Sequence, residues 1–564
     1  MPKISTRNYS SETAKELTQQ GLHPVLARIF SARGIISSTQ LESDLSGLIP
    51  PKQLTNTEKM ASLLADAIEQ KKRLIIIADY DSDGATACAV AIRALREFGA
   101  IVDYIVPNRF EYGYGLTPEI VQLAATKQPD ILITVDNGIA SVAGVAEANR
   151  LGMEVLVTDH HLPGNELPKA ACIVNPNQPG CPFPSKNLAG VGVIFYVMLA
   201  LRVELRNRGV FENKQEPNLG NILDLVALGT VADVVKLDDN NRILVQQGLK
   251  RIRSGKAHAG IKALYRVSGR DFRKASTYDL GFMLGPRLNA AGRLDDMALG
   301  IECLITDNEF RALEIAQRLD TLNRERREIE ADMQLSALAV LDTMVVEDSY
   351  SLSLYDPEWH QGVIGILASR IKEKFHRPVI TFAPGNDGEI KGSGRSVAGL
   401  HLRDALDLVS KRHPDLIRKF GGHAFAAGLT IMASSFDMFT QAFEKVAREL
   451  LSPNDLERII ETDGNLLPDE MTMELATLIE NHVWGQGFPQ PTFQDEFIVE
   501  QQRLVGEKHM KLRLNNGKRS FEAIQFFRES PVPDKIQAAF QLSINEYNGS
   551  RTLQLMVQHC EPSE

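Results

Sequence analysis

From residue 73 onward the apolar positions come in compact blocks: Leu74–Ala78, Ile101–Val106, Ile131–Val135, Val155–Thr158 and Cys172–Val174. Each block ends in polar or acidic residues and is followed by a segment with helical spacing. A block apolar at every position reads as a strand buried on both faces, so the alternation predicts a doubly wound, mainly parallel sheet covered by helices. Residues 1–70 differ. They read as short helices, with Leu22, Val25, Leu26, Ile29 and Phe30 on an apolar face and a breaker at Pro50-Pro51.

Farther along, no Gly or Pro interrupts the chain between Gly300 and Pro357. Ala312, Ile315, Leu319, Leu322, Ile329, Met333, Ala337 and Val340 recur there at helical spacing, which predicts one connecting helix about 45–50 Å long. The mixed charges of residues 323–330, with Arg324/Glu328 and Arg326/Glu330 four apart, predict a solvated face. A second α/β unit follows, with strands near Ser351–Tyr355, Val379–Phe382 and Leu429–Met432 and helices near Val363–Phe375 and Leu402–Ser410. At the C-terminus, Phe540, Leu542 and Ile544 alternate, Asn548-Gly549 supplies a turn, and Leu553, Leu555 and Val557 alternate back. Met510, Leu512 and Leu514 before Asn515-Asn516-Gly517 give another hairpin. Several hairpins in so short a segment predict a small Greek-key barrel, which leaves no open edges. The expected division is residues 1–70, 71–255, 256–345, 346–452 and 453–564.

Composition narrows the class. The chain has 564 residues, 43% apolar and 24% charged, so it can bury several cores and carries no fibrous or disordered bias. With 62 Lys+Arg against 72 Asp+Glu the net charge is −10, so a polyanion has to be held by local basic surface. Cys88, Cys172, Cys181, Cys303 and Cys560 lie too far apart for a zinc knuckle, and their odd number argues against a complete disulfide framework. A reducing cytoplasm is the expected compartment. The longest uncharged, mainly apolar stretch, Leu188 to Leu201, is 14 residues, short of the ~18 of a membrane span, and the N-terminus opens no signal-peptide core.

Chemistry concentrates where the apolar blocks end. Asp79, Asp81 and Asp83 follow the first block, Asp136 ends the Ile131–Val135 block, and Asp159-His160-His161 end the next. In a doubly wound sheet these ends share one edge, where ligands bind. A single Asp at such a junction is most simply a helix cap or turn former. Three successive junctions of this kind point instead to a cation that neutralises crowded carboxylates. Carboxylate and imidazole together suit Mn²⁺ well and Mg²⁺ less well, and a bridging Asp would hold two metals about 3.5–4 Å apart, the spacing used at phosphorus centres.

Ala78-Asp-Tyr-Asp-Ser-Asp-Gly84, Val135-Asp-Asn-Gly138 and Thr158-Asp-His-His161, with Gly229-Thr-Val-Ala-Asp233, resemble the four motifs of the DHH phosphoesterase superfamily. Further segments resemble the RecJ single-stranded-DNA exonucleases within it: 107–116, Gly285-Pro-Arg-Leu-Asn-Ala-Ala-Gly-Arg293, Trp359–Gly365, Gly392-Ser-Gly-Arg-Ser396 and Gly421–Gly428. The resemblance implies a DHH domain, a DHHA1 domain and an OB-fold. It implies two divalent metal ions, Mn²⁺ or Mg²⁺, held by Asp81, Asp83, Asp136, His160 and Asp233, with Asp79 also a ligand and Asp136 the bridge. His161 would face the phosphate or leaving oxygen, and Asp159 would orient its neighbours. Where many DHH enzymes have a His four residues before the position of Asp81, this chain has Ile77.

Small neighbours around Arg109, Arg287, Arg293 and Arg395 leave room for an anion, and Asn289, His360, Ser393, Ser396 and His423 add polar groups. The alternative for each Arg is an interface salt bridge. A terminal 5′-phosphate is expected to fall mainly to Arg395, Ser393 and Arg109. In the barrel, Lys508, Lys511, Arg513, Lys518 and Arg519 stand beside Phe521, Phe526 and Phe527, a mixture that suits single strands, against the alternative of a solvated hairpin.

The family resemblance implies a 5′-to-3′ exonuclease of single-stranded DNA that releases mononucleotides in recombination and repair. It also implies a monomer, off the membrane, with a single-strand-binding protein and a RecQ-type helicase as partners. Two rivals are a DHH phosphoesterase of oligoribonucleotides, cyclic dinucleotides or pyrophosphate, and a non-catalytic DNA-binding scaffold.

Overall fold

The computed structural model describes residues 2–107, 115–342, 346–506, 508–547 and 549–563. The chain forms two compact units, Met1–Ser5 with Asn323–Glu461, and Thr6–Leu322 with Thr462–Glu564.

The N-terminal region corrects the all-helical expectation at its first residues. β1 (Lys3–Thr6) pairs with a strand at Ile459–Thr462 before α1 (Ser11–Gln19), α2 (Pro24–Ala32) and α3 (Thr57–Glu69) follow. Val25, Leu26, Ile29 and Phe30 are buried, as their spacing requires. Phe30 stacks on Trp484 (5.6 Å, 13°) and Phe488 (6.1 Å, 19°), while Arg33 grips Asp463 through Nη1–Oδ1 (2.7 Å) and Nη2–Oδ2 (3.1 Å). These helices therefore pack into the C-terminal region of their own unit.

β2 (Arg73–Ala78), β3 (Ile101–Ile105), β4 (Ile131–Val135), β5 (Glu154–Thr158) and β6 (Cys172–Val174) form one parallel sheet in the order β3-β2-β4-β5-β6. Even-numbered Leu74, Ile76 and Ala78 face a core shared with α3, α4 (Ser82–Phe98), α7 (Gly190–Asn207) and α8 (Leu223–Ala232). Odd-numbered Ile75 and Ile77 face α5 (Pro118–Ala125) and α6 (Val142–Arg150) across Ile120, Val121, Val145 and Ala148. Burial on both faces is why the strands show no polar alternation. The strand order reverses between β2 and β4, which opens a crevice beyond their C-terminal ends. The apolar run Leu188–Leu201 is explained by α7, which is buried along most of its length against α3 and α4. No helix among the described residues is long and apolar enough to cross a membrane. All five cysteines are free and buried.

α9 (Gly285–Leu294) is entered through a π-helical segment, Asp279–Leu284, and precedes the 33-residue helix α10 (Glu309–Leu341). At 1.5 Å per residue α10 is about 50 Å long, as its uninterrupted spacing predicts. Its charged stretch is not uniformly solvated. Arg326 and Glu330 are buried and paired at 2.6 Å, and Arg326 also donates to Asn323, because this turn is packed rather than free.

In the other unit, β7 (Leu352–Tyr355), β8 (Val379–Pro384), β9 (Glu389–Arg395), β10 (Lys419–Gly422) and β11 (Ala426–Met432) are ordered β10-β11-β9-β8-β7. α11 (Ile364–Phe375), α12 (Leu402–Arg412) and α13 (Phe436–Leu450) cover it. β9 and β10 escape sequence patterning because they are glycine-rich. A side chain at Gly392 would meet Phe382 and Leu429 at 2.6 Å, so that glycine makes room for core side chains, and not for an anion as its motif suggests.

After β12 (Ile459–Thr462), β13 (Phe493–Val505), β14 (His509–Asn515), β15 (Ser520–Phe526), β16 (Lys535–Tyr547) and β17 (Ser550–Pro562) close into a barrel ordered β13-β14-β15-β17-β16. Ile544 pairs with Leu553, Leu542 with Leu555 and Phe540 with Val557, the register that the alternation predicts.

Candidate metal centre and substrate contacts

Three strand ends and one helix end converge beyond the crevice. Asp79, Asp81 and Asp83 follow β2, Asp136 follows β4, His160 and His161 follow β5, and Asp233 caps the C-terminus of α8. Ligand atoms of Asp79, Asp81 and Asp136, of Asp83, His160 and Asp233, and of Asp136, His160 and His161 each lie within 4.8 Å of one another.

Backbone groups and neighbouring side chains position several members of the cluster. Asp81 caps α4, its Oδ1 accepting from the amides of Asp83 (2.9 Å) and Gly84 (3.0 Å), so the cap reading and the cluster reading hold together. Both oxygens of Asp83 accept from the N-terminus of α7, Oδ2 from Gly190 (2.6 Å) and Oδ1 from Val191 (2.9 Å). Asp136 sits at φ +62, a left-handed conformation that costs energy outside glycine, and Asn137 Nδ2 ties the carbonyls of Ile77 and Val135 together beside it. Asp159 anchors its loop: Oδ1 accepts from the amides of His160 (2.7 Å) and His161 (3.1 Å) and lies 2.8 Å from His161 Nδ1, while Oδ2 accepts from Ile139.

His160 Nε2 lies 3.1 Å from Asp136 Oδ1, 3.6 Å from Asp233 Oδ2 and 3.9 Å from Asp83 Oδ2. It is buried without a hydrogen bond of good geometry among the described residues. Burial, with the charges of Asp233 and Asp81, raises the Asp83 carboxyl to about 7, and burial with Asp81 raises Asp233 to about 8. Burial and four neighbouring carboxylates push Asp136 well above the usual range. Burial and the adjacent His161 hold His160 down, toward the neutral form that ligates metals. Burial alone would depress His161, but the Asp159 hydrogen bond and charge outweigh it and raise it to about 9. A crowded acid cluster with a neutral buried imidazole is a donor set that fits a divalent cation.

The predicted phosphate contacts divide. Arg287 is buried, with Nε and Nη2 on Asp320 Oδ1 (3.0 and 2.8 Å) and Nη1 on the Met283 carbonyl (2.6 Å), so it ties α9 to α10 instead of awaiting a phosphate. Asn289 Oδ1 accepts from the Ser82 amide (2.7 Å) and hydroxyl (2.9 Å), which fixes the start of α4. Arg293 is half-buried in the last turn of α9. Ser396 is buried and donates to the Leu400 carbonyl, so its hydroxyl is spent on its own loop. Arg395 is different. Its guanidinium bonds only Gly394 O (2.8 Å) and Ser393 Oγ (3.4 Å), with no acidic partner among the described residues, beside Gly365 in the first turn of α11. His360 and His423 are exposed in the same unit. Arg109 lies outside the described residues.

In the barrel the fold supplies acids that sequence proximity hides. Lys511 pairs with Glu522 (2.7 Å), Arg513 with Glu500 (3.1 Å) and Arg519 with Asp469 (3.5 Å), while Lys508 and Lys518 are exposed. Phe521 is in the core, whereas Phe526 and Phe527 are exposed around His509. Sequence reading missed the α7 amides that clamp Asp83. Their signal is Gly190, where an added Cβ would stand 2.5 Å from Asp136 Cβ and Oδ1.

Family models match three segments: the N-terminal domain of the DHH family at residues 73–230, the DHHA1 domain at 344–449 and the RecJ OB domain at 462–559. The chain is 50% identical over 555 residues to the single-stranded-DNA-specific exonuclease RecJ of Escherichia coli, covering 96% of each chain. It is 32% identical over 569 residues to the Bacillus subtilis protein of that name, covering 98% of this chain and 70% of that one. The crystal structure of Thermus thermophilus RecJ in complex with Mn²⁺ superposes with a TM-score of 0.84 at 29% identity, over 100% of this chain and 79% of that one. Its Mg²⁺ complex gives 0.78 at 28% identity, over 100% of this chain and 78% of that one. An acid and imidazole cluster at the switch point, three matching domains in order and identity of this extent along nearly the whole chain agree: the chain belongs to the RecJ family.

Proposed function

We propose that this protein is a metal-dependent exonuclease that degrades single-stranded DNA from its 5′ end to 5′-mononucleotides. The observation that carries the reading is the convergence of Asp79, Asp81, Asp83, Asp136, His160, His161 and Asp233 beyond one sheet edge. Relatives of known structure hold Mn²⁺ or Mg²⁺. Here Asp81, Asp83, Asp136, His160 and Asp233, with Asp79, are assigned to two such ions, and Asp136 to both. Divalent ions at this place supply Lewis acidity toward a phosphoryl oxygen and make water more acidic.

The remaining steps belong to the chain. Asp83 is fixed by two α7 amides, so it offers its carboxylate at constant position. Asp159 holds His161 through Nδ1, which orients the ring assigned to the phosphate or leaving oxygen. Arg395 and Ser393 are assigned the terminal 5′-phosphate, a reading supported by the lack of an acidic partner for the Arg395 guanidinium among the described residues. Lys508, Lys518 and the paired Lys511, Arg513 and Arg519 track the strand's phosphates. Work in a reducing cytoplasm on recombination and repair substrates, as a monomer with a single-strand-binding protein and a RecQ-type helicase, completes the proposal.

Single-stranded and duplex DNA labelled at either end, incubated with Mn²⁺, Mg²⁺ or EDTA, tests it. Mononucleotides appearing first from the 5′ label of single strands, and only with metal, is the expected result. Equal release from both ends, or turnover in EDTA, contradicts it. Cleavage of short oligoribonucleotides in preference to DNA would favour the small-substrate phosphoesterase reading.

A further inference from the structure

Tyr278, just before the π-helical segment Asp279–Leu284, and Phe282 within it form an aromatic pair that the metal cluster and the phosphate contacts leave unused. Tyr278 and Phe282 are 52% and 63% exposed, yet their rings stack at 5.0 Å with an interplanar angle of 28°. Two large apolar rings kept in water and held parallel are costly surface unless something covers them.

The pair is rigid. Asp279 between them is buried and accepts from the Ser276 amide (3.0 Å) and hydroxyl (2.9 Å) and from Arg270 Nε (2.7 Å). That bond sets the Arg270 guanidinium carbon 5.9 Å from the Tyr278 ring centre and leaves the side chain nearly half exposed. Among the described residues only Arg270 Nε is hydrogen-bonded, so its outer nitrogens are available to an anion. The segment also lies against the metal cluster's own support. An added Cβ at Gly281 would stand 3.3 Å from Val231, and one at Gly285 3.2 Å from Ala232, both in the last turn of α8 before Asp233. Val234, the next residue, is 62% exposed at φ +63, a strained conformation for a β-branched side chain. π-Helical turns are rare and concentrate at functional sites.

We propose that Tyr278 and Phe282, with Arg270, form a nucleobase-stacking subsite that holds an unpaired base of the strand beside the metal centre while Arg270 meets its phosphate. The inference rests on the proposed single-strand nuclease function and names a subsite for it. A flat aromatic face next to a cation matches the two parts of a nucleotide, and single-stranded nucleic acid is the occupant that presents both repeatedly.

An abasic scan decides it. The full-length protein, with Ca²⁺ in place of the catalytic metal, is titrated with a labelled single strand carrying one abasic nucleotide at successive positions from the 5′ end. In the wild type one position should weaken binding about 5- to 150-fold, the usual worth of one stacked base. Phe282→Ala and Tyr278→Ala should weaken binding of the intact strand by a similar factor and show no further loss at that abasic position. Tyr278→Phe, which keeps the ring, should restore both. Wild-type affinity of both alanine variants for the intact strand, or abasic penalties that stay the same in the variants, overturns the subsite and leaves the rings to a protein partner. Failure of the nuclease reading is seen separately, as absence of wild-type turnover on single strands with Mn²⁺.

Discussion

Replacing Gly190 with alanine alters no ionisable group, yet it should disable the metal centre. Gly190 is the first residue of α7, where alanine is ordinarily the better helix former by roughly 0.5–1 kcal/mol. Here its Cβ would stand 2.5 Å from both Cβ and Oδ1 of Asp136. Carbon atoms in contact prefer about 3.5 Å, so helix and carboxylate must separate by about 1 Å, at an overpacking cost of about 1–3 kcal/mol. The same residue's amide donates to Asp83 Oδ2, so the displacement moves two proposed ligands on different strand ends at once. A misplacement of that size typically costs on the order of 100-fold in rate. The assay is kcat/KM on single-stranded DNA with Mn²⁺, alongside Mn²⁺ affinity by calorimetry and the thermal midpoint. Gly192→Ala is the control, because its Cβ would meet only the flexible Leu188 Cδ2 at 3.1 Å. A folded Gly190→Ala protein with wild-type Mn²⁺ affinity and kcat/KM would refute the argument that this glycine sets the carboxylates.

Four further outcomes follow from the same geometry. Asp233 is raised from 3.8 when unfolded to about 8 when folded, so it binds a proton in the folded state alone between those values. The metal-free protein should therefore lose stability as pH rises from about 4 to about 8, and Mn²⁺ should raise the thermal midpoint more at pH 8 than at pH 6. Asp233→Asn should abolish turnover yet melt higher than the wild type at pH 8 without metal, and an unchanged or lower midpoint would contradict the crowding argument. Arg395→Ala should lower kcat/KM on a 5′-phosphorylated strand about 10- to 100-fold and spare a 5′-hydroxyl strand, whereas equal losses would assign the guanidinium elsewhere. Arg287→Ala should destabilise the fold by about 1–3 kcal/mol in chemical denaturation, since it removes the buried bonds to Asp320 and to the Met283 carbonyl, and a loss confined to KM would restore its phosphate role.

Periodicity and turn residues by themselves determined the parallel sheet, α10 and the register of the last hairpin, because burial on both faces, uninterrupted helical spacing and period-two alternation are local signals. Chemistry was legible too. Strand ends are marked by where the apolar blocks stop, and in a doubly wound sheet those ends share one edge, so Asp79–Asp83, Asp136 and Asp159–His161 could be brought together on paper. What only the tertiary structure decided is how each polar group is spent. Arg287 and Arg395 stand in similar small-residue settings, yet Asp320 claims the first, and no acid among the described residues claims the second. Lys511, Arg513 and Arg519 look like an uncompensated patch until Glu522, Glu500 and Asp469 fold against them. Gly392 resembles an anion cradle and in fact makes way for Phe382 and Leu429. The short helices before residue 70 give no sign in sequence of what covers their apolar face, which the fold supplies by stacking Phe30 on Trp484 and Phe488. Spacing along the chain fixes what a residue can do within its own element. Its hydrogen-bond and charge partners come from elements hundreds of residues away, and only packing brings those into range.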